Sequence, residues 1–495
     1  MNDANRYLGI DIGASGGTLY TGRFLNGALE LNEVGRFDNN PSEEADRYVW
    51  DIDALLENIT EGIEACHSQY GPIDSIGIDT WGTDFGFLSD GELLRNPYSY
   101  RDPRLTSTRE ELFDTVGKRT LFEVTGICHW ETATSLYHLH YLLQEEPSII
   151  ERADTLLMIP QLLSTLLGGA AVSEETVVST TQMIDPETKN WAEDLLRELD
   201  VPLDVLPDIG PPGEVVGSLS AAYAPESENE PDIVLPTSHD TASAVSALPL
   251  MGENRMFLST GTMFLPGIEL DAPNRTEQAF EISASNELGL DDSIRFTKNM
   301  NGFFLLEEAR KVWNAAGEDT AYDVLLSKAS KTTPRGPLVD PDHGMFDLDA
   351  EIPAKIREYC SETGQEPPSG TGEVTQCILE SLVVKTALAF DQLESTAGRT
   401  GSRIHLGGGG VRNQLLCQLL ADVTGKTVVA GPAEAAVIGN LLSQAIGRND
   451  VSSLAAGRGL VKSSFAFDRY RPDDTATWEG VTNEMADLIA AAPSA

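Results

Sequence analysis

"LGIDIGASGGTLYTGRF", residues 8–24, decides how the rest of the chain is read. An apolar run reaches Asp11, crosses a bend of small residues and returns as a second apolar run. That is the pattern of two strands joined by a tight turn. The tip of such a hairpin exposes backbone N–H groups, and these bind phosphate oxygens at close approach. Gly13, Gly16 and Gly17 remove bulk there, while Ser15 and Thr18 add hydroxyl donors. Asp11 is placed to hold a hydrated Mg²⁺ against the phosphates. The plainer reading is a tight hairpin whose aspartate stays solvated, since glycine motifs this short match often by chance.

Working outward, a helical pattern at 54–70 leads into the strand "DSIGIDTWG". Strand, helix and strand in that order indicate an α/β fold. Amphipathic helices follow at 107–116 and 134–144, then a Pro-, Gly- and acid-rich connection at 205–231 and the strand "DIVLPTSHD". The opening then repeats in outline. "RMFLSTGTMFLPGIEL" (255–270) is strand, tip and strand again, with Ser259, Thr260, Gly261 and Thr262 at the tip. An excursion at 332–372 precedes a helix at 373–394, and "RIHLGGGGVRNQLL" gives a strand, four glycines and a helix start. Such internal duplication implies two related α/β halves, 1–246 and 247–495, with the helix at 474–491 free to pack back on the first half. Two phosphate-type hairpins, one from each half, would grip one polyphosphate across a cleft.

Composition narrows the class. The chain has 495 residues, 41% of them hydrophobic, enough for two cores. Its 78 acidic residues against 34 basic ones give a formal net charge of −44, so the basic footprint that nucleic-acid binding needs is missing. The acids recur along the whole chain, which suits a protein working in concentrated salt, where charges are screened within about 3 Å at 1 M. The five cysteines show no CxxC or Cys/His metal spacing, and no segment reads as a signal peptide or membrane span. The expectation is a cytoplasmic protein with free thiols, a monomer or homodimer, whose partners are small molecules.

Three further stretches carry chemistry. In "LPTSHDTASAV" Asp240 follows a strand and opens a helix, so it could accept the proton of a hydroxyl attacking a γ-phosphate. Asp240 or Ser238 would equally serve as the helix cap. His239 beside it either orients a sugar hydroxyl or packs. In "DTWGTDF" Trp81 offers a sugar-stacking face and Gly82 a close backbone approach, although a core tryptophan is the commoner outcome. The glycines at 407–410 let a flat ligand such as adenosine approach the backbone, or they simply make a tight strand-to-helix turn.

Taken together, "DIGASGG" (11–17), "IGIDTWGTDFGFL" (76–88), "YRDPR" (100–104), "SHDTASAV" (238–245), "LSTGT" (258–262), "KNMNG" (298–302) and the block 408–440 resemble the FGGY family of carbohydrate kinases. Within it, "SHDTASAV" and "IDTWG" are most similar to the rhamnulokinase branch. The resemblance implies an actin-like ATPase fold, two ribonuclease-H-like domains around a cleft for ATP, Mg²⁺ and a sugar. It implies Asp240 as general base. It implies phosphate contacts from Ala14, Ser15, Gly16, Gly17, Thr18 and Thr262, and nucleotide contact from Gly409. Sugar contacts are implied for Gly82, His239, Asp240, Thr241 and Asn299. The reaction implied is phosphorylation of a ketose, L-rhamnulose first, at its C1 hydroxyl. Other ketoses or polyols (L-fuculose, xylulose, ribulose) and a non-catalytic, actin-like sugar sensor are the alternatives.

The chain also departs from that pattern. The first phosphate loop usually ends in arginine, and here that position is Thr18. A glutamine that usually touches the nucleotide is Glu307. In "TGICHWETATSLYHL", His129, Trp130 and Glu131 change the polarity of a sugar-facing stretch.

Overall fold

The computed structural model describes residues 4–130, 133–224, 230–252, 255–346 and 351–491. The chain packs as two compact units that interleave in sequence. Unit 1 is Met1–Pro249, Glu269–Phe296 and Glu434–Ala466; unit 2 is Leu250–Ile268, Thr297–Ala433 and Phe467–Ala495. The expected single division at residue 246 therefore describes chain order, while packing returns two later segments to the first unit.

Unit 1 is built on a six-stranded sheet. Its strands are β1 (Tyr7–Gly13), β2 (Gly16–Leu25), β3 (Ala28–Asp38), β4 (Ser75–Thr80), β5 (Val215–Ser218) and β6 (Asp232–Val234), in the order β5-β6-β4-β1-β2-β3. β1 and β2 form the expected antiparallel hairpin, with Gly13 opposite Gly16, and β4 runs parallel to β1 on its other side. Side chains alternate across a strand. Leu8, Ile10 and Ile12 therefore face one core, shared with Ile76, Ile78 and α1 (Ile52–Tyr70) through Leu55, Ile59 and Ile63. Asp51 caps that helix by accepting from the Ala54 N–H, and Gly71 ends it at φ 89°.

The odd-numbered positions Tyr7, Gly9 and Asp11 face the opposite side, where the helix Ala435–Gly447 lies. A Cβ at Gly9 would come within 2.9 Å of Val437 Cγ2, and one at Gly77 within 2.8 Å of Asn440 Oδ1. Smallness at these two positions lets the helix sit down on the sheet. The same helix crosses α2 (Asp240–Ala247) in backbone contact, because a Cβ at Gly439 would lie 1.8 Å from the Ser243 carbonyl oxygen.

Unit 2 repeats the plan. β7 (Met256–Thr260) and β8 (Met263–Leu270) form the second hairpin, and β7 pairs in parallel with β9 (Arg403–Gly408). β10 (Thr427–Ala430) and β11 (Asp468–Tyr470) extend the sheet. The long helix α3 (Thr371–Ala397) buries Val384 against Trp478, Val481 and Met485. The C-terminal helix Val481–Ala491 thus stays with unit 2, and it is residues 434–466 that return to unit 1. Inside α3, Glu380 accepts from the Arg335 and Gly336 N–H groups, and Lys385 pairs with Asp342 at 2.6 Å.

The five cysteines are buried free thiols, and among the described residues no helix is long and apolar enough to cross a membrane. The helix crossing yields a test: Gly439→Ala should lower the urea midpoint of unit 1, by about 3 kcal/mol of stability or slightly less, since backbone rather than a flexible side chain must move.

Candidate active site

The register of unit 1 gathers the chemistry. Asp11 pairs with Thr18 on β2 and with Asp79 on β4, and Thr18 pairs with Arg36 on β3. Directly paired residues project from the same face. Arg36, Thr18, Asp11 and Asp79 therefore form one row across four strands. Asp79 is fully buried and accepts from Asn440 Nδ2 at 2.7 Å. Burial, and Asp11 beside it, raise the Asp79 carboxyl well above its ordinary range. Burial and the nearby Asp240 charge push Asp11 up to about 7, while the hydrogen bond from Asp79 works the other way. Both carboxyls are therefore harder to ionise than an ordinary aspartate, and they titrate as an interacting pair. Arg36 stands at the other end of the row, bonded to Glu33 and to the Tyr20 hydroxyl.

Asp240 enters from one strand further along. Thr80 at the end of β4 bridges to His239, and the Thr80 N–H donates to the Ser238 carbonyl at 3.0 Å. This carries Asp240 to the first turn of α2, with its side chain 32% exposed. Its Oδ1 accepts from the hydroxyl of Thr241 at 3.1 Å and from the Thr241 N–H. Ser238 does not cap the helix: its hydroxyl donates to the Pro236 carbonyl, and His239 occupies the N-cap position without a side-chain cap bond. The loop is fixed from below by Glu174, fully buried, which accepts from the Ser238 N–H at 3.1 Å.

The hairpin tip is held in place by neighbours. Arg101 donates to the Ala14 carbonyl at 2.9 Å and Asn39 Nδ2 to the Gly13 carbonyl at 2.8 Å, while Ser15 is exposed. A Cβ at Gly17 would strike the Phe37 ring at 2.2 Å, so that glycine is required by packing alone. Trp81 is likewise committed to the core: it is 7% exposed, 4.3 Å from the Trp50 ring centre, and donates to Asp84 at 3.0 Å. Gly82 packs on Thr180, whose Oγ1 would be 2.7 Å from an added Cβ.

The remaining candidates lie in unit 2. Thr262 is at the tip of the second hairpin, and its carbonyl accepts from the Gly302 N–H at 2.9 Å. Asn299 is half-buried just before the short strand Met300–Asn301, which pairs with β8. Of the glycines where β9 ends, Gly408 and Gly410 are explained by the fold, since added Cβ atoms would lie 2.2 Å from the Thr260 carbonyl and 2.6 Å from its hydroxyl. Gly409 alone of this trio opens on free space, with nothing within 4 Å of an added Cβ. The Glu307 carboxylate is neutralised within its own unit by Arg310 at 2.7 Å, with the Tyr322 hydroxyl also donating to it.

Comparison with known proteins adds to this geometry. The N-terminal domain of the FGGY family of carbohydrate kinases matches residues 6–246, and the C-terminal domain of the same family matches residues 256–448. The chain belongs to the FGGY family of carbohydrate kinases. A protein of Bacteroides thetaiotaomicron named rhamnulokinase is 36% identical over 475 residues, covering 96% of this chain and 97% of that protein. Another so named, of Oceanobacillus iheyensis, is 37% identical over 94% of this chain and 97% of its own length. The structure of a xylulose kinase from Lactobacillus acidophilus superposes with a TM-score of 0.79 at 16% identity, over 98% of this chain and 99% of that one. At that identity the likeness is one of fold.

Sequence reasoning missed several of the residues that this geometry brings together: Asp79 lies inside the motif 76–88 with no role assigned to it, and Asn440 and Glu174 carry no local signal. Of the departing stretch, His129 Nε2 lies 3.4 Å from Glu287 Oε1, and Trp130 packs edge-on to Phe113 and Phe280. Glu131 lies outside the described residues.

Asp84 provides a test of how the Trp81 loop is held. Its Oδ2 accepts from both indoles and from the Tyr100 N–H, yet burial still pushes the carboxyl up to about 7. The folded protein therefore keeps a proton that the unfolded chain releases near pH 4, so this contribution to stability is full below about pH 4 and is lost as pH rises toward 7. Asp84→Asn should lose about 2 kcal/mol less than wild type between pH 5 and pH 8, measured by urea unfolding.

Proposed function

We propose that this FGGY kinase transfers the γ-phosphoryl group of ATP to the C1 hydroxyl of a ketose, L-rhamnulose first. What supports the sugar is the name carried by relatives at 36% and 37% identity over nearly the full chain. What supports the chemistry is the placement of a partly exposed Asp240 at the start of α2, beside the Asp11–Asp79 pair.

In this reading Asp240 accepts the C1 hydroxyl proton as that oxygen bonds to the γ-phosphorus. The bond from that phosphorus to the bridging oxygen breaks, and ADP leaves with the electron pair. Ala14, Ser15, Gly16, Gly17 and Thr18 at one hairpin and Thr262 at the other position the phosphates; Gly409 lies against the nucleoside. His239, Thr241, Gly82 and Asn299 orient the sugar, with Trp81 supporting the loop from within the core. Asp11 is the carboxylate that would hold Mg²⁺. Its like-charged surroundings suit a cation, and among the described residues no three acidic, His or Cys side chains form a closed metal cage. A single protein carboxylate completed by phosphates and water is the usual Mg²⁺ arrangement, and the ion would neutralise phosphate charge. The charge of −44 goes with a cytoplasm rich in salt.

Coupled ADP release in molar KCl, run over ketoses, aldoses and polyols, checks this directly. L-Rhamnulose should be the best acceptor, and Asp240→Asn should lower kcat at least about a hundredfold while its sugar KM moves little. Near-wild-type kcat in that variant would assign the base elsewhere, and faster turnover of another sugar would move the substrate. Dialysis to low salt should lower the melting temperature and activity; a protein equally stable without salt would refute the saline setting.

A further inference from the structure

Behind His239 and Asp240 lie two buried charges, Arg295 and Glu287, that the phosphoryl-transfer reading does not use. Arg295, on the strand Ile294–Thr297, is completely buried. Its Nη2 is 2.9 Å from His239 Nδ1 and 2.9 Å from Glu287 Oε2, and its Nε donates to the Leu288 carbonyl at 3.2 Å. On the far side of the imidazole, His239 Nε2 is 3.4 Å from Asp240 Oδ1. The outer oxygen of Glu287 faces His129. The order is therefore Asp240, His239, Arg295, Glu287, His129, all within unit 1.

A guanidinium has donors and no acceptor. Against it, His239 Nδ1 can only present its lone pair, so a neutral ring must carry its proton on Nε2, the nitrogen that faces Asp240. Adding a second proton would set an N–H against an N–H. The energetics point the same way. Arg295 Nη1 is buried with no hydrogen-bond partner among the described residues. Fully buried ion pairs are seldom retained for stability, because apolar replacements of similar volume often do as well or better. A buried arginine with one unsatisfied nitrogen needs another reason to be there.

We propose that Arg295 is a positioning residue that locks His239 as the neutral Nε2–H tautomer, so that the catalytic carboxylate of Asp240 meets a fixed N–H donor. This rests on the reading of Asp240 as base. The opposite tautomer would turn a lone pair toward Asp240 and offer the sugar hydroxyl a competing acceptor. An imidazolium would instead hold Asp240 in a full ion pair and weaken it as a base. Burial, and after it the Arg295 charge, depress the His239 pKa. The groups facing the ring are Asp240 on its own helix, Arg295 and Glu287 on the neighbouring strands, and His129; Asp240 and Glu287 pull the pKa up, His129 pulls it down. Burial works against ionisation of Glu287, but Arg295 overrides it and holds that carboxyl well below its usual range, which keeps the guanidinium anchored.

The tautomer is read without turnover, in protein labelled with ¹⁵N-histidine and with His239→Gln to identify the signal among seven histidines. His239 should show a bare Nδ1 and a protonated Nε2, unchanged from pH 8 to pH 5.5. A protonated Nδ1, or an ordinary titration near pH 6.5, would overturn the lock whatever the fate of the base assignment. In Arg295→Met the ratio of its kcat/KM to that of wild type should fall about tenfold or more between pH 8 and pH 5.5, as His239 becomes able to protonate. Because that variant leaves Glu287 unpaired, Arg295→Met/Glu287→Gln is measured as well and should show the same fall. Arg295→Lys keeps a donor-only partner and should restore the wild-type profile. A loss of rate that is uniform across pH in both Met variants would make Arg295 merely structural and overturn the proposal.

Discussion

The constraint on which unit 1 turns is that its carboxylates repel one another at close quarters. Asp240 raises the cost of ionising both Asp11 and Asp79, Asp11 adds to that cost for Asp79, and Glu434 adds to the burden on Asp11. Such a cluster persists only if the scaffold supplies what the acids cannot supply for themselves. Asn440 donates to one oxygen of Asp79, the acid whose burial most opposes ionisation. The helix N-terminus places its positive end at Asp240. The Asn440 donor comes from a segment 361 residues away in sequence, so the helix Ala435–Gly447 belongs to the site as much as to the core.

That helix also explains where the glycines are. Gly9, Gly77 and Gly439 are the contact points at which it meets β1, β4 and α2, and a methyl at any of them would collide with the neighbour. The glycines that read most readily as ligand cradles turn out to serve packing as well. Gly17 accommodates the Phe37 ring, while Gly408 and Gly410 accommodate Thr260. The plain reading of the glycine run therefore accounts for two of its members, and the nucleotide reading is concentrated on Gly409.

Local pattern made the first hairpin, the Asp240 strand-to-helix junction and the α/β class legible, because each is written in a contiguous stretch with the right period. The helix expected at 54–70 is Ile52–Tyr70, capped by Asp51, and the one at 373–394 is Thr371–Ala397; the two or three extra residues at these ends carry no periodic hydrophobic signal. The row from Arg36 to Asp79 was not legible, because it is created by strand register, and register joins residues that no local window holds together. The same holds for Glu174 under Ser238 and for Arg295 behind His239. Duplication suggested two halves, but the return of residues 269–296 and 434–466 to unit 1 is a packing outcome with no compositional mark.

The departing stretch at 125–139 takes on a different meaning beside these contacts. Its Trp130 is held in an aromatic cluster with Phe113 and Phe280, and the Cys128 N–H donates to Ser285 on the strand that carries Glu287. His129 meets the far oxygen of Glu287, whose other oxygen holds Arg295. A change of polarity at 129 therefore reaches His239 through Glu287 and its buried ion pair with Arg295. Buried charges transmit such changes efficiently because little water is present to screen them. Substitutions in this stretch are better understood together with positions 239, 287 and 295 than as separate contacts with the sugar.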